Sequence, residues 1–431
     1  MLRTTVALLL ACGAACCQAA TIRVPEDEKT IQSAIDIAKP GDEISVGPGR
    51  YRERIALKPN VAIRSRGNNA RGEIGLKRAE ATIIDGSGDD GDAPGVLMAE
   101  GSTLDGLTIT AVGKYDQALW QKHHDTHGEN LADDEGSVRD EGTVGGIVIR
   151  KVNCTVVHNI VHHNGHVGIA VAGDQQRSIT PLIEMNFSYR NLGGGIGIAG
   201  GASAIVRGNT CSENLRAGIG CRGSAPMIVD NTGSKNIRAG IGCREGATPL
   251  VRGNKCFQNR RAGIGCRMQG TAPIIEGNEC YQNDMAGIGS RDDAAPIIRD
   301  NHCHHNKMAG IGCDGSKPII VGNQCRENEM AGIGLRGQAS ATIQDNHCIE
   351  NKLVAIGVTA QSTARINGNR LTRTGGVPPI IAVKDQSSAT ILGSEISGGG
   401  VAAVLVQGQA TSSPCTFAGA GEKQGNAVWV W

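Results

Sequence analysis

Aromatic side chains are nearly missing from this chain: three Phe, four Tyr and three Trp account for 2% of 431 residues. A core built around large rings is therefore excluded, and small aliphatic residues have to fill the interior. Strong charge of one sign is missing too, since 43 Lys and Arg face 42 Asp and Glu, a formal net charge of +1. Bulk charge thus gives no reason to expect nucleic acid as a partner. Past the first twenty residues no apolar run reaches the length a bilayer requires, so no membrane span is expected there. Glycine, in contrast, is abundant at 62 residues, which suits a repetitive fold with tight, regular turns.

The opening "MLRTTVALLLACGAACCQAA" has one Arg, a short apolar run from Val6 and then small residues. That is the pattern of a secretory signal peptide over residues 1–20, with cleavage after Ala19 or Ala20, and it places the mature chain in the periplasm or outside the cell. A lipoprotein is the alternative, although Gly13-Ala14-Ala15 before Cys16 lacks the usual leucine. Removing Cys12, Cys16 and Cys17 from fifteen cysteines leaves twelve in the mature chain. Their spacing is periodic rather than scattered.

Alignment on "GNxCxxNxxAGIGCR" puts Cys211, Gly233, Cys256, Cys280, Cys303, Cys325 and Cys348 in one column, with steps of 22, 23, 24, 23, 22 and 23 residues. Ten residues later a second column holds Cys221, Cys243, Cys266, Ser290, Cys313, Leu335 and Val358. Fainter copies pass upstream through Val161 with Val171 and Ser188 with Ile198, and downstream through Leu371. Each unit contains short period-two stretches such as "PIIEGNEC" and "AGIGC" between Gly, Asn and Ser signals, and no helix-length amphipathic run. A unit of about 23 residues with three short strands is one turn of a parallel β-helix.

The string "IxGNxCxxNxxAGIGC" resembles the right-handed parallel β-helix repeat of pectate-lyase-like proteins and of the periplasmic NosD family. The resemblance implies an all-β solenoid with apolar residues at the positions of Ile219 and Cys221. "KTIQSAIDIAKPGDEISVGPGRYRERI" is similar to the entry segment of such helices, where a capping amphipathic helix precedes the first strand. The expected layout is a cap with the first strands over 21–60, a solenoid over 61–415 interrupted by an insertion at 114–142, and a C-terminal cap over 416–431 with Trp429 and Trp431. The fold hosts many unrelated activities, so the likeness is specific for architecture and weak for function.

Strand alternation in "AGIGC" sends Ile and Cys to one side and the second Gly to the other. Because Val171, Ile198, Leu335 and Val358 replace Cys in its column, that side is the interior. Gly220, Gly242, Gly265, Gly289, Gly312 and Gly334 then form an outward stripe beside Arg222, Arg244, Arg267, Arg291 and Arg336, with Asp314 breaking the arginine column. Such a face suits an acidic glycan or a flat protein partner.

The cysteines have two readings. Each is a small buried hydrophobe, interchangeable with Val or Leu; or Cys256, Cys280, Cys303, Cys325 and Cys348, stacked on successive rungs ~4.8 Å apart, form a thiol ladder. Disulfides along it fit poorly, since bridged Cβ atoms lie roughly 3.8 Å apart. Copper(I), with metal–sulfur bonds of about 2.3 Å, is the soft ion that pairs of rungs would suit, and Cys221, Cys243, Cys266 and Cys313 extend the set. The gaps at Gly233, Ser290 and Leu335, and the closed core, speak against it. Met285, Met308 and Met330, each just before an AGIG, add an outward soft-ligand column.

The insertion "KYDQALWQKHHDTHGENLADDEGSVRDEG" leaves the turn between the two inward columns of its rung. In that turn the next rung carries His162, His163 and His166, and the one after carries Tyr189 and Arg190. The expectation is a patch that joins Trp120, His123, His124 and His127 to these histidines, with Asp116, Asp125 and Glu129. It would bind a metal through His123, His124, His127, His162 and His163, or else be a solvated flap. The i,i+4 histidines in "HNIVHHNGH" lie on strand and turn, so helical metal-site spacing does not apply. His304 and His305 share the turn column but stand six rungs from His162, roughly 29 Å, and cannot join the patch. "GGGIGIAGG" matches GxGxxG at Gly195, Gly197 and Gly200, yet no βαβ context surrounds it.

Three functions remain. The first is an exported factor that binds soft metal, which the NosD resemblance implies because that family is linked to copper-enzyme assembly. The second is a polysaccharide lyase, hydrolase or epimerase, or a glycan-binding protein, with His163, Tyr189 and Arg190 as candidate proton-transfer and charge-stabilising groups. Against catalysis stand the scarcity of stacking aromatics and the absence of pectin-esterase or polygalacturonase catalytic strings. The third is a passive scaffold.

Overall fold

The computed structural model describes residues 19–88, 93–128, 145–174, 176–398, 402–407 and 429–430. The signal-peptide reading, the second half of the insertion with Glu129, and most of the expected C-terminal cap lie outside the described residues. Among these residues three sheets of fifteen, fifteen and fourteen strands carry the chain, and apart from the first pairing of one sheet and the last of another each strand pairs with the one three places further on. All of these pairings are parallel, as in Ile274–Glu276 with Ile297–Arg299, Glu279–Tyr281 with His302–His304, and Ile288–Arg291 with Ile311–Asp314. We name them the first, second and third sheets in the order a rung visits them. This is the three-sheet parallel β-helix expected from the repeat.

The first rung already begins at Thr21–Val24, which pairs with Glu43–Val46, so the segment 21–60 belongs to the solenoid. Helix α1 (Ile31–Ile37) starts at a capping box between Thr30 and Ser33, while the Glu53 carboxylate accepts from the Ile31 and Gln32 N–H groups at 2.9 Å. Its buried Ile31, Ala34 and Ile35 join the core. A second helix, α2 (Lys77–Ala81), brings Arg78 inward onto Asp105 at 2.6 Å.

Each rung contributes one residue from the first sheet, one from the second and two from the third to the interior. Around Cys303 these are Ile298, Cys303, Ile311 and Cys313, all at most 3% exposed. Both cysteine columns thus face inward, in register, as expected. Between the first and second sheets a buried asparagine recurs on each rung from Asn159 to Asn369, and between the second and third on each rung from Asn164 to Asn351. Asn306, for example, accepts from the N–H and the Nδ2 of Asn283 at 3.1 and 3.0 Å, while its own Nδ2 donates to the Cys280 carbonyl at 3.0 Å and to Asn328 Oδ1 at 2.9 Å. These ladders satisfy the polar backbone groups at the corners where the chain leaves a sheet. The residue before each asparagine at the second corner is left-handed without being glycine: Arg190, Glu213, Lys235, Gln258, Gln282 and His305 have φ between 50 and 55°. Their side chains form the outer edge of that corner.

Candidate functional site

The insertion is not irregular throughout. Helix α3 (Gln117–Asp125) is capped by Asp116, whose carboxylate accepts from the Leu119 N–H at 3.0 Å. A helix of nine residues does not persist unaided in water. What holds it is Trp120, which packs with buried Leu215 and Ile237 and the partly buried Tyr115 and Leu192, and whose indole N–H donates to the Glu213 carbonyl at 2.9 Å. Leu192, Leu215 and Ile237 occupy one column of the second corner, and downstream rungs continue it with Arg260, Asp284 and Lys307. The apolar seat therefore exists only under α3. That change of character was the sequence signal for the docked helix.

Docking α3 creates an open groove of about 550 Å³ beside it. Trp120, Gln121 and His124 form one wall. Arg190, Glu213, Lys235, Gln258 and Gln282 contribute one side chain from each of five successive rungs, and Arg260 and Asp284 complete the lining. Arg190 is clamped, with Nε 2.6 Å from Glu213 Oε2 and its guanidinium 4.7 Å above the Trp120 ring. His124 stacks on that ring at 4.7 Å, and burial together with Arg260 keeps it neutral by lowering its pKa. Asp284 is shared between Arg260 at 3.3 Å and Lys307 at 2.7 Å. Lys235 has no ion-pair partner among the described residues.

The catalytic candidates His163, Tyr189 and Arg190 do come together, at the upstream end of the groove. His163 lies edge-on to Tyr115 at 4.9 Å and to Tyr189 at 5.8 Å, and Tyr189 stacks on His162 at 4.9 Å. Burial pushes His162 down to about 4, and burial and Arg190 lower His163, so both are neutral at pH 7. Burial raises Tyr189, which keeps its phenol protonated. A neutral imidazole and a protonated phenol on one face can accept and donate a proton.

The expected union of loop and rung histidines does not form as a metal cluster. His123 is turned into the seat, 9% exposed, and His124 is held on Trp120 further down the solenoid, whereas His162 and His163 pair with each other through Nδ1 atoms 2.6 Å apart. His127, past the end of α3, is exposed. Among the described residues, only Glu279, His302 and His304 bring three His, Cys, Asp or Glu ligand atoms within 4.8 Å of one another. Sequence reasoning set His304 aside and missed the other two.

On the third sheet the arginines face outward but are not bare. Arg222 and Arg244 meet Glu245 at 2.8 and 3.4 Å, Arg291 meets Asp292 at 3.3 Å, and Arg336 meets Asp314 at 3.0 Å. Much of the expected cationic stripe, which also includes Arg267, is thus spent in local pairs. The eleven described cysteines are free and buried. Burial pushes Cys154 and Cys313 up to about 12. In the ladder, hydrogen bonds with Cys256 and Cys303 raise Cys280, while hydrogen bonds from Cys280 and Cys325 make Cys303 the position where an anion is best accommodated.

A three-sheet parallel β-helix with a polar groove roofed by an inserted helix is the class that fold and site define. Residues 138–278 and 265–380 match the family model described as the right handed beta helix region, and the chain belongs to that family. Among solved structures it is similar to the Dettilon tailspike protein, at 15% identity and a TM-score of 0.51, covering 86% of this chain and 68% of that one. It is also similar to the A-module of the mannuronan C-5 epimerase AlgE6 of Azotobacter vinelandii (14% identity, TM-score 0.45, 88% and 94% covered) and to the periplasmic alginate epimerase AlgG (13%, 0.46, 87% and 83%). At these identities the likeness is one of fold. No curated protein sequence gives a significant match.

Proposed function

We propose that the protein is an exported glycan-binding β-helix that holds an acidic polysaccharide along the groove beside α3. The observation that carries this reading is the alignment of Arg190, Glu213, Lys235, Gln258 and Gln282, one per rung. Five rungs span about 19 Å at the spacing of parallel strands, and polar groups at a fixed interval suit a linear polymer with its own regular repeat. Lys235, with Arg260 partly offset by Asp284, supplies the charge that selects a polyanion, while the flat polar floor offers no closed pocket for a small apolar ligand. No helix among the described residues is long and apolar enough to cross a membrane.

The test is affinity electrophoresis and calorimetry with a polyuronate and a neutral glucan. Retention by the polyuronate alone, falling as salt rises and weakened about tenfold by Lys235→Ala with Arg260→Ala, supports the reading. Equal retention by both polymers, or none, refutes it.

The neighbouring His163 and Tyr189 favour a second reading, processing of the bound polymer by proton transfer, for which Tyr189→Phe and His163→Gln abolish turnover but leave retention intact. NosD-like copper(I) handling by the cysteine ladder is carried by register alone, since its thiols are sealed from solvent.

A further inference from the structure

From the outer face of the second sheet we infer a binding site for one divalent transition ion of the zinc type, formed by Glu279, His302 and His304. The site does not depend on the glycan reading. Parallel pairing fixes it: Glu279 is in register with His302, and Tyr281 with His304, so one carboxylate and two imidazoles from adjacent rungs project from the same side. Their ligand atoms all lie within 4.8 Å of each other, and His304 Nε2 is 3.5 Å from Glu279 Oε1. Metal bonds of 2.0–2.2 Å place neighbouring ligand atoms about 3.4 Å apart, so the His304–Glu279 pair is already at coordination distance.

Three further observations single this cluster out from ordinary surface polarity. His302 Nε2 is buried and has no hydrogen-bond partner, an orphan that a cation would satisfy. His304 is oriented from behind: its Nδ1 is 2.8 Å from His305 Nδ1, and His305 Nε2 is 2.6 Å from Glu327 Oε2. Such a carboxylate–imidazole relay is the support that fixes a ligating histidine's tautomer. The Tyr281 ring lies parallel to His304, 5.0 Å away and within 1°, and Phe257 stacks on Tyr281 in turn, which restricts rotation of the imidazole. Two cations compete: Lys255, 3.7 Å from Glu279 on an exposed stem that can swing away, and Arg326, in register with His304 and held 3.4 Å from Glu327. Two imidazoles and one carboxylate, open toward solvent, match zinc with exchangeable positions for water or an anionic ligand. Gln282, on the same rung as Glu279, lines the groove, so the proposed ion site lies beside the groove's downstream rungs without lining it.

The experiment uses the full mature chain, stripped with chelator and titrated with Zn(II) by calorimetry and with Co(II) by visible absorption. One equivalent, with a nitrogen- and oxygen-type Co(II) spectrum, is expected. Glu279→Gln or His302→Asn should weaken it at least tenfold, and Glu327→Gln roughly tenfold through the relay, with unchanged circular dichroism and unfolding midpoint. A Cys280→Val, Cys303→Val, Cys325→Val variant should bind as the parent does. Absence of saturable binding below about 1 mM, binding unaffected by the Glu279 and His302 changes, or binding lost in the cysteine variant and kept in His302→Asn would each overturn the assignment.

Discussion

Two glycines two residues apart in one AGIG are predicted to respond in opposite ways to the same methyl group. A Cβ on Gly310 would stand 2.8 Å from the Gly332 carbonyl oxygen, 2.9 Å from Asn328 Nδ2 and 2.9 Å from Cys325 Cβ. None of these atoms is the free end of a flexible side chain. One is backbone, one is fixed in the asparagine ladder and one belongs to the thiol column, so relief requires spreading two rungs. On Gly312 the nearest atoms are Ala286 Cβ at 3.3 Å and Ala309 Cβ at 3.9 Å, on the outer face. Overpacking of a rigid interior costs typically 1–3 kcal/mol, and each weakened ladder hydrogen bond about 1 kcal/mol more, so Gly310→Ala should destabilise by roughly 3 kcal/mol or above. Gly312→Ala should stay within about 0.5 kcal/mol. The chain contains its own control. The first glycine of the motif persists through Gly332, whose Cβ would meet Asn351; on the next rung Thr374 takes the asparagine's place, and there Ala355 replaces the glycine, buried and accommodated. Guanidinium unfolding of both variants, followed by far-ultraviolet circular dichroism and compared by midpoint and slope, measures the difference. Equal midpoints for the two variants, or a Gly310→Ala protein as stable as its parent, would refute the packing argument.

Trp120→Ala should release α3, because loss of a buried Trp costs about 3–5 kcal/mol and a nine-residue helix has little else to hold it. Faster proteolysis within 114–128, loss of polyuronate retention and an unchanged melting temperature of the solenoid are expected; a resistant α3 would contradict the seat. The eleven described thiols should be inert to an aqueous thiol reagent until the chain unfolds, and Cys280→Val with Cys303→Val should fold normally; rapid native labelling would reopen the copper reading. His162, neutral and buried in the fold with a pKa near 4 against 6.5 when free, leaves the unfolded chain holding more protons between those values. Stability present above pH 6.5 should therefore decline as pH falls toward 4, by up to about 3 kcal/mol, and His162→Gln should flatten that part of the pH profile.

The repeat made the solenoid legible because burial in a parallel stack writes the same small residue into the same column on every turn. Cys256 through Cys348 and the Ile219 column could be assigned inward from substitution by Val and Leu alone. The asparagine ladders were visible as a motif, yet their role was not, since a buried side-chain ladder and an exposed turn signal use the same residue. The insertion was found by its break in register, but α3 was missed: one Trp and a capping Asp in a polar stretch carry little periodicity, and its stability comes from Leu215 and Ile237 about a hundred residues away. Grouping the loop histidines with His162 and His163 requires the insertion to stay beside the turn it leaves. In fact Trp120 draws α3 down the axis, and His124 goes with it.

In a solenoid the direction of a side chain is set by its column, so function must be carried by rows where a column changes character. The seat arises where a charged column turns to Leu192, Leu215 and Ile237 for three rungs. The upstream cluster arises where the corner and its flanking strand turn to His162, His163 and Tyr189, and the proposed ion site where Glu279 meets His302 and His304 in columns that pass from Thr232 and Ser234 upstream to Gln324 and Arg326 downstream. All of these lie along the second sheet and the corner after it, although the longer of the two cysteine columns lies behind that same wall. The repeat that catches the eye builds the support, and the irregular residues on its outer surface form the groove and the proposed ion site.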